Sequence, residues 1–295
     1  MTVAPEDPPR GPEPARRRSF DTLITVVTVV FAGVVLGVVV WYMIAGPGTS
    51  TNQVSPTGPR GDYPVGVSSS AQPSGKAPPG AHALAGFDLS YVSDFNGTSL
   101  PDGWEAFYGV PGGDPSGQFA VTHVVVSDGL LQLNTWKDPA YGDKWVTGGL
   151  CQCGLAHTYG AYFVRSRLTG PGPNDAELLW PAARVWPPEI DFNENGGDVT
   201  ATSSTVHWGQ TDQIDQLHVS IDMTKWHTWG VIWTPASITY TVDGSAWGVV
   251  SAAVEIPRQP MTLDIEQRVR CGGATECPRV PESIEVDWVA EYTMK

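Results

Sequence analysis

Residues 284–292 read Ile-Glu-Val-Asp-Trp-Val-Ala-Glu-Tyr, and every second side chain, Ile284, Val286, Trp288, Ala290 and Tyr292, is apolar. The intervening positions are mostly acidic. A period of two marks a strand with one face in a core, because successive side chains leave a strand on opposite sides. Val231 and Trp233 alternate in the same way, and Ile238, Tyr240 and Val242 run into an Asp243-Gly244 turn. From about Phe87 onward there is no long helical period, only short apolar stretches separated by turn residues. Gly (33) and Pro (26) together make up a fifth of the 295 residues, and both are costly inside helices. The expected fold is therefore all-β: a two-sheet sandwich or jelly roll of short strands.

Upstream of these strands the chain changes character twice. No residue from Thr22 to Thr51 is charged, and Leu23 to Ala45 is a run of 23 residues, against roughly 20 needed to cross a bilayer as a helix. A secretory signal peptide has a shorter apolar core of about 7–15 residues, so the run reads as a transmembrane signal anchor over 22–45. Arg16, Arg17 and Arg18 precede it, and the next basic residue is Arg60. This bias keeps residues 1–21 in the cytoplasm and places the remainder outside. Residues 46–81 are rich in Pro, Gly and Ser with few large apolar side chains, and are expected to be a disordered linker. The Arg60-Gly61-Asp62 tripeptide within it is read as coincidence. The expected organisation is a cytoplasmic tail, a single-pass span, a linker, and an extracellular domain over 82–295.

Beyond the span lie 13 basic and 27 acidic residues. With no Lys/Arg block there, nucleic acid is not an expected partner, since phosphate binding needs clustered positive charge. Outside the cell, the four cysteines, Cys151, Cys153, Cys271 and Cys277, are expected to form two disulfides rather than a zinc site. Their pairing is open. As strand neighbours, Cys151 and Cys153 share a face, which favours bonds to the 271/277 loop over a strained bridge between them.

Residues 187–197 read Pro-Pro-Glu-Ile-Asp-Phe-Asn-Glu-Asn-Gly-Gly. In a strand Glu189 and Asp191 share one face and Ile190 and Phe192 point to the core. Glu194 has the wrong parity for the acidic face, and a one-residue β-bulge between Asp191 and Glu194 would restore it. The two glutamates would then lie about 13 Å apart at the backbone. Their side chains could lean together to the roughly 5–5.5 Å used by retaining glycosidases.

These residues resemble the signature Glu-Ile-Asp-x-x-Glu of the family-16 glycoside hydrolases, in particular their bacterial β-1,3-glucanase (laminarinase) branch. Further segments are similar to the family's motifs and stand in its order: Tyr159 to Leu168, Trp180-Pro181-Ala182, Thr205 to Gly209, Trp226 to Pro235, Val242-Asp243-Gly244 and Val286 to Val289. The resemblance implies a concanavalin A-like β-jelly roll with the active strand on its concave sheet. It also implies retaining hydrolysis with Glu189 as nucleophile, Glu194 as acid/base and Asp191 assisting between them. By the same resemblance Trp180 is the leading sugar-stacking residue. Trp145 and Trp186 follow, and His207 and Gln267 are further substrate-binding candidates. Trp229, Trp233 and Trp288 are expected in the core. Arg184 stands where the family usually repeats a Trp, and Cys151-Gln152-Cys153 replaces its usual Ser-Gly-Arg type sequence. No cofactor is required, but a structural calcium is common in the family, and Asp287 matches its side-chain ligand.

The expected activity is endo-hydrolysis of a neutral β-linked polysaccharide, with a β-1,3-glucan leading, by a monomer held at the membrane. A cell-envelope transglycosylase using the same residues and a non-catalytic glycan-binding module are the alternatives.

Overall fold

The computed structural model describes residues 53–54, 63–269 and 277–295. The expected cytoplasmic tail and membrane span lie outside these residues. Among the described residues no helix is long and apolar enough to cross a membrane.

The domain is an all-β sandwich. One sheet has eight strands, in spatial order Gln53–Val54, Gln213–Ser220, Ala201–Trp208, Glu189–Glu194, Asn174–Pro181, Met261–Arg268, Gly149–Cys151 and Glu105–Ala106. The opposing nine-stranded sheet is centred on Gly160–Leu168 and Glu282–Met294. Pairing is antiparallel throughout both sheets, apart from the short Gln53–Val54 edge. Between the sheets Ile190, Phe192, Val206, Leu263, Ile265, Val231 and Trp233 are fully buried in one apolar core. The hairpin joining Ile238–Val242 to Ser245–Val250 turns on Asp243 (φ 47°) and Gly244 (φ 84°). Two consecutive positive φ values match the twist of the flanking strands, and Asp-Gly tolerates them.

The alternating stretch at 284–292 lies within the long Glu282–Met294 strand, and its two parities serve two cores. Ile284, Val286 and Val289 pack between the sheets, whereas Trp288, Ala290 and Tyr292 join Ala161 and Phe163 in a second cluster. The switch of parity falls where the register with the Gly160–Leu168 strand shifts, between Arg165 and Ser166. Trp229, Trp233 and Trp288 are all buried as expected.

The second cluster corrects the linker boundary. Residues 63–81 are part of the domain and form a strap with a short hairpin, Val67–Ser68 against Lys76–Ala77. Tyr63 packs against the second cluster. Trp288 Nε1 donates to Lys76 O (2.9 Å), Tyr292 OH to Gly80 O (3.0 Å) and Thr228 Oγ1 to Val65 O (3.1 Å). Arg165 Nε donates to Ser74 Oγ (2.6 Å), and Ser74 N–H to Asp287 Oδ2 (3.1 Å). A segment this poor in apolar side chains cannot build a core. It orders here by supplying backbone acceptors to donors of an existing sheet.

Candidate active site

The active strand carries the bulge its parity demanded. Asp191 pairs with Thr205 and Glu194 with Ser203, so three steps along Glu189–Glu194 oppose two on its neighbour. The extra residue returns Glu194 to the face of Glu189 and Asp191. All three line a cleft of about 900 Å³ across the eight-stranded sheet. Trp180, Trp186, His207, Asp264, Glu266 and Arg268 line it as well.

Each acid is held by a specific partner. Trp186 Nε1 donates to Glu189 Oε2 at 2.7 Å. His207, directly opposite Glu189 in the register, places Nε2 3.3 Å from Asp191 Oδ2 and Nδ1 2.7 Å from Asp212 Oδ1. Asn174 Nδ2 donates to Glu194 Oε1 at 2.8 Å, and its Oδ1 accepts from the Gly196 N–H. Ligand atoms of Glu189, Asp191 and His207 lie within 4.8 Å of one another. As imidazolium, His207 donates from both nitrogens and leaves no lone pair for a metal. Beside Glu105 the sulfurs of Cys151 and Cys153 are in a disulfide and offer no thiolate.

Burial, reinforced by the charge of Asp191, pushes the Glu189 carboxyl well above the usual range. Burial also raises Asp191, while the hydrogen bond from His207 restrains that rise. Burial works against the His207 imidazolium, but its bonds to Asp191 and Asp212 prevail and lift it to about 9. Two buried carboxyls this close share a proton near neutral pH, with a cation alongside. At rest the proton is favoured on Glu189 and the charge on Asp191 beside the His207 imidazolium, and Glu189 becomes the anion when the shared proton passes to Asp191.

Several sequence-predicted residues sit elsewhere. Gln267 is fully buried, donating to Asp175 Oδ1 (2.6 Å) and accepting from Thr135 (2.8 Å). Its parity is that of Leu263 and Ile265, which face the core, whereas Thr262, Asp264, Glu266 and Arg268 face the cleft. Trp145 does not line the cleft. It lies on Lys144–Val146, which pairs with Leu130–Asp138 of the other sheet, and Lys137 Nζ sits 5.7 Å from its ring centre. The cysteine expectation is corrected too. Cys151 and Cys153 bond to each other, with a Cα separation of 5.0 Å. The strand ends at Cys151 and the chain turns, shortening a span that an extended strand would hold near 6.6 Å. Cys277 is also disulfide-bonded, and Cys271 lies outside the described residues.

Sequence reasoning missed Asn174, Asp212 and the Arg268–Glu266 ion pair (2.6 Å). Alternation within Met261–Arg268 would have indicated the last. Asn174 and Asp212 carry no local signal.

A β-sandwich with two glutamates flanking an aspartate on the floor of an open cleft is the arrangement that two-carboxylate glycoside hydrolysis uses. Residues 118–289 match the glycosyl hydrolases family 16, and the chain belongs to that family. Among characterised relatives it is 28% identical over 149 residues to the endo-1,3-1,4-beta-glycanase ExsH of Rhizobium meliloti (strain 1021), covering 48% of this chain and 31% of that one. It is 27% identical over 184 residues to a beta-glucanase of Rhodothermus marinus, covering 55% and 64% respectively. The chain thus spans under a third of the first relative's length. Among solved structures, the laminarinase from Rhodothermus marinus superposes with a TM-score of 0.63 at 23% identity, over 71% of this chain and 98% of that one. The laminarinase catalytic domain from Thermotoga maritima gives 0.62 at 18%, over 71% and 99%. At these identities the structural likeness is one of fold.

Proposed function

We propose that this chain is a retaining endo-glycosidase that hydrolyses a neutral β-linked glucan, with β-1,3 linkages as the leading target. The observation that carries this is the bulge, which places Glu194 on the cleft face with Glu189 and Asp191. The Glu189 carboxylate attacks the anomeric carbon while Glu194 protonates the departing glycosidic oxygen, giving a glycosyl-enzyme ester. Glu194, now ionised, takes a proton from water, and the hydroxide formed breaks the ester with a second inversion. Asp191 holds the dyad's proton while Glu189 is an anion, and His207 balances the charge. Trp180 and Trp186 offer aromatic faces to the apolar faces of the sugars.

The names of the two relatives quoted above, a glycanase and a glucanase, support the substrate class. The apolar run at 22–45 and the arginines before it support tethering at the membrane with the domain outside. No cofactor takes part. A structural calcium would be held through Asp287 Oδ1, a buried oxygen without a partner, and would supply folding stability only. Melting with and without chelator tests it.

The central test is incubation of the full chain and its Glu189→Gln and Glu194→Gln variants with a panel of neutral β-glucans, with products sized and their anomeric configuration followed by NMR. Shorter β-anomeric products from the parent and none from either variant support the proposal. Longer products point to transfer, and binding without turnover points to a glycan-binding module.

A further inference from the structure

A second groove of about 490 Å³ lies beside the cleft and shares Trp186 with it. Its walls include Pro187, Trp208, Val254, Ile256 and Glu255. Trp186 is 42% exposed and Val254 68%. Trp186 is held from the cleft side, through its bond to Glu189 and its ring contact with His207 at 5.6 Å. Trp208 is a wall of this groove, and its Nε1 is buried and makes no hydrogen bond. A buried N–H donor left unpaired is costly and uncommon in native proteins.

We infer that this groove is a binding subsite for a neutral sugar unit of the same β-linked polysaccharide, continuing the cleft past Trp186. The inference rests on the glucan-hydrolase reading. A pyranose matches the groove because it presents an apolar C–H face to Trp, Val and Ile and a rim of hydroxyls to polar groups. Gln210 and Glu255 stand at the groove to meet hydroxyls, and a small turn of the Trp208 ring would bring its buried, unpaired N–H within reach of another. Glu255 makes an anionic sugar a poor occupant. Continuity with the cleft makes the occupant a further unit of the bound chain. The consequence is that affinity keeps rising with oligosaccharide length after the cleft itself is filled.

The test uses the full chain carrying Glu194→Gln, so that ligand is bound rather than cleaved, with β-1,3-, β-1,4- and mixed-linked glucose oligosaccharides of three to eight units as probes. Val254→Glu places a carboxylate on the groove rim, and Trp208→Phe keeps an aromatic ring while removing the N–H. Calorimetry should show octasaccharide affinity falling at least five-fold with Val254→Glu and two- to three-fold with Trp208→Phe, toward that of the trisaccharide. Unchanged octasaccharide affinity in both variants overturns the groove assignment and leaves the hydrolase reading intact. Binding of no probe at all overturns both. Val254-dependent binding in a parent chain that cleaves nothing leaves the groove standing and removes the hydrolase.

Discussion

Replacing Glu291 by Gln should make the domain more stable in alkaline solution and change it little in acid. Glu291 lies on Glu282–Met294, opposite Tyr162 on one neighbour and Tyr91 on the other. It is fully buried, and both carboxyl oxygens lack a hydrogen-bond partner. Burial lifts it from 4.5 to about 8. An acid whose folded value is raised contributes its full stability below the unfolded value, and that stability is lost as pH rises toward the folded one. The loss runs at about 1.4 kcal/mol per pH unit, reaching about 3 kcal/mol at pH 7 and about 4 kcal/mol at pH 8. Gln has the same shape and never ionises, so the variant should match the parent near pH 5 and exceed it by up to about 4 kcal/mol at pH 8. That corresponds to about 10 °C in Tm for a domain of this size. Urea unfolding of both chains at pH 5, 6, 7 and 8 measures the difference. Parallel stability profiles across that range would refute the reasoning, because a group that costs nothing extra as pH rises is not a buried acid forced to ionise on one side only.

His207→Gln removes the cation that restrains Asp191, so the first proton leaves the catalytic dyad at higher pH. The acid limb of kcat/KM against pH should move up by about one unit, and an unmoved limb would separate His207 from the dyad. Asn174→Ala deprives Glu194 of its donor, so kcat should fall about ten-fold with KM little changed. A rise in KM alone would place Asn174 in binding. Deleting residues 63–81 uncovers Trp288 and Tyr292. Burial of large side chains on this scale is worth on the order of 3 kcal/mol, so the shortened chain should melt lower and bind a hydrophobic dye. An unchanged melting curve would make the strap a passenger.

Where the sequence was legible, the determining information was local. Strict alternation at 284–292 located a strand, Asp243-Gly244 located a hairpin, and the parity of Glu189, Asp191 and Glu194 called for a bulge between Asp191 and Glu194. Alternation also runs through Met261–Arg268, against the expectation that Gln267 reaches the cleft. Gln267 shares parity with Leu263 and Ile265, which places it in the core, and Glu266 and Arg268 take the cleft. The Cys151–Cys153 bridge depends on where the strand ends, which the residue types at 151–153 do not reveal. The strap was illegible for a different reason. Its partners, Arg165, Asp287, Trp288 and Tyr292, lie more than 90 residues away, and composition alone reports only that the segment has no core of its own.

The strap also determines how the domain would carry load. Its hydrogen bonds end on Thr228, Arg165 and the Glu282–Met294 strand, all in the sheet opposite the catalytic one. A pull along the chain from the N-terminal side meets the two-residue Gln53–Val54 edge first, paired with Gln213–Ser220, and then the strap, whose bonds are distributed over three strands. Neither fastening includes the Glu189–Glu194 strand, from which the Gln53–Val54 edge is separated by Gln213–Ser220 and Ala201–Trp208, so tension along the tether is met by a two-residue edge and by the opposite sheet before it reaches the spacing of the acids.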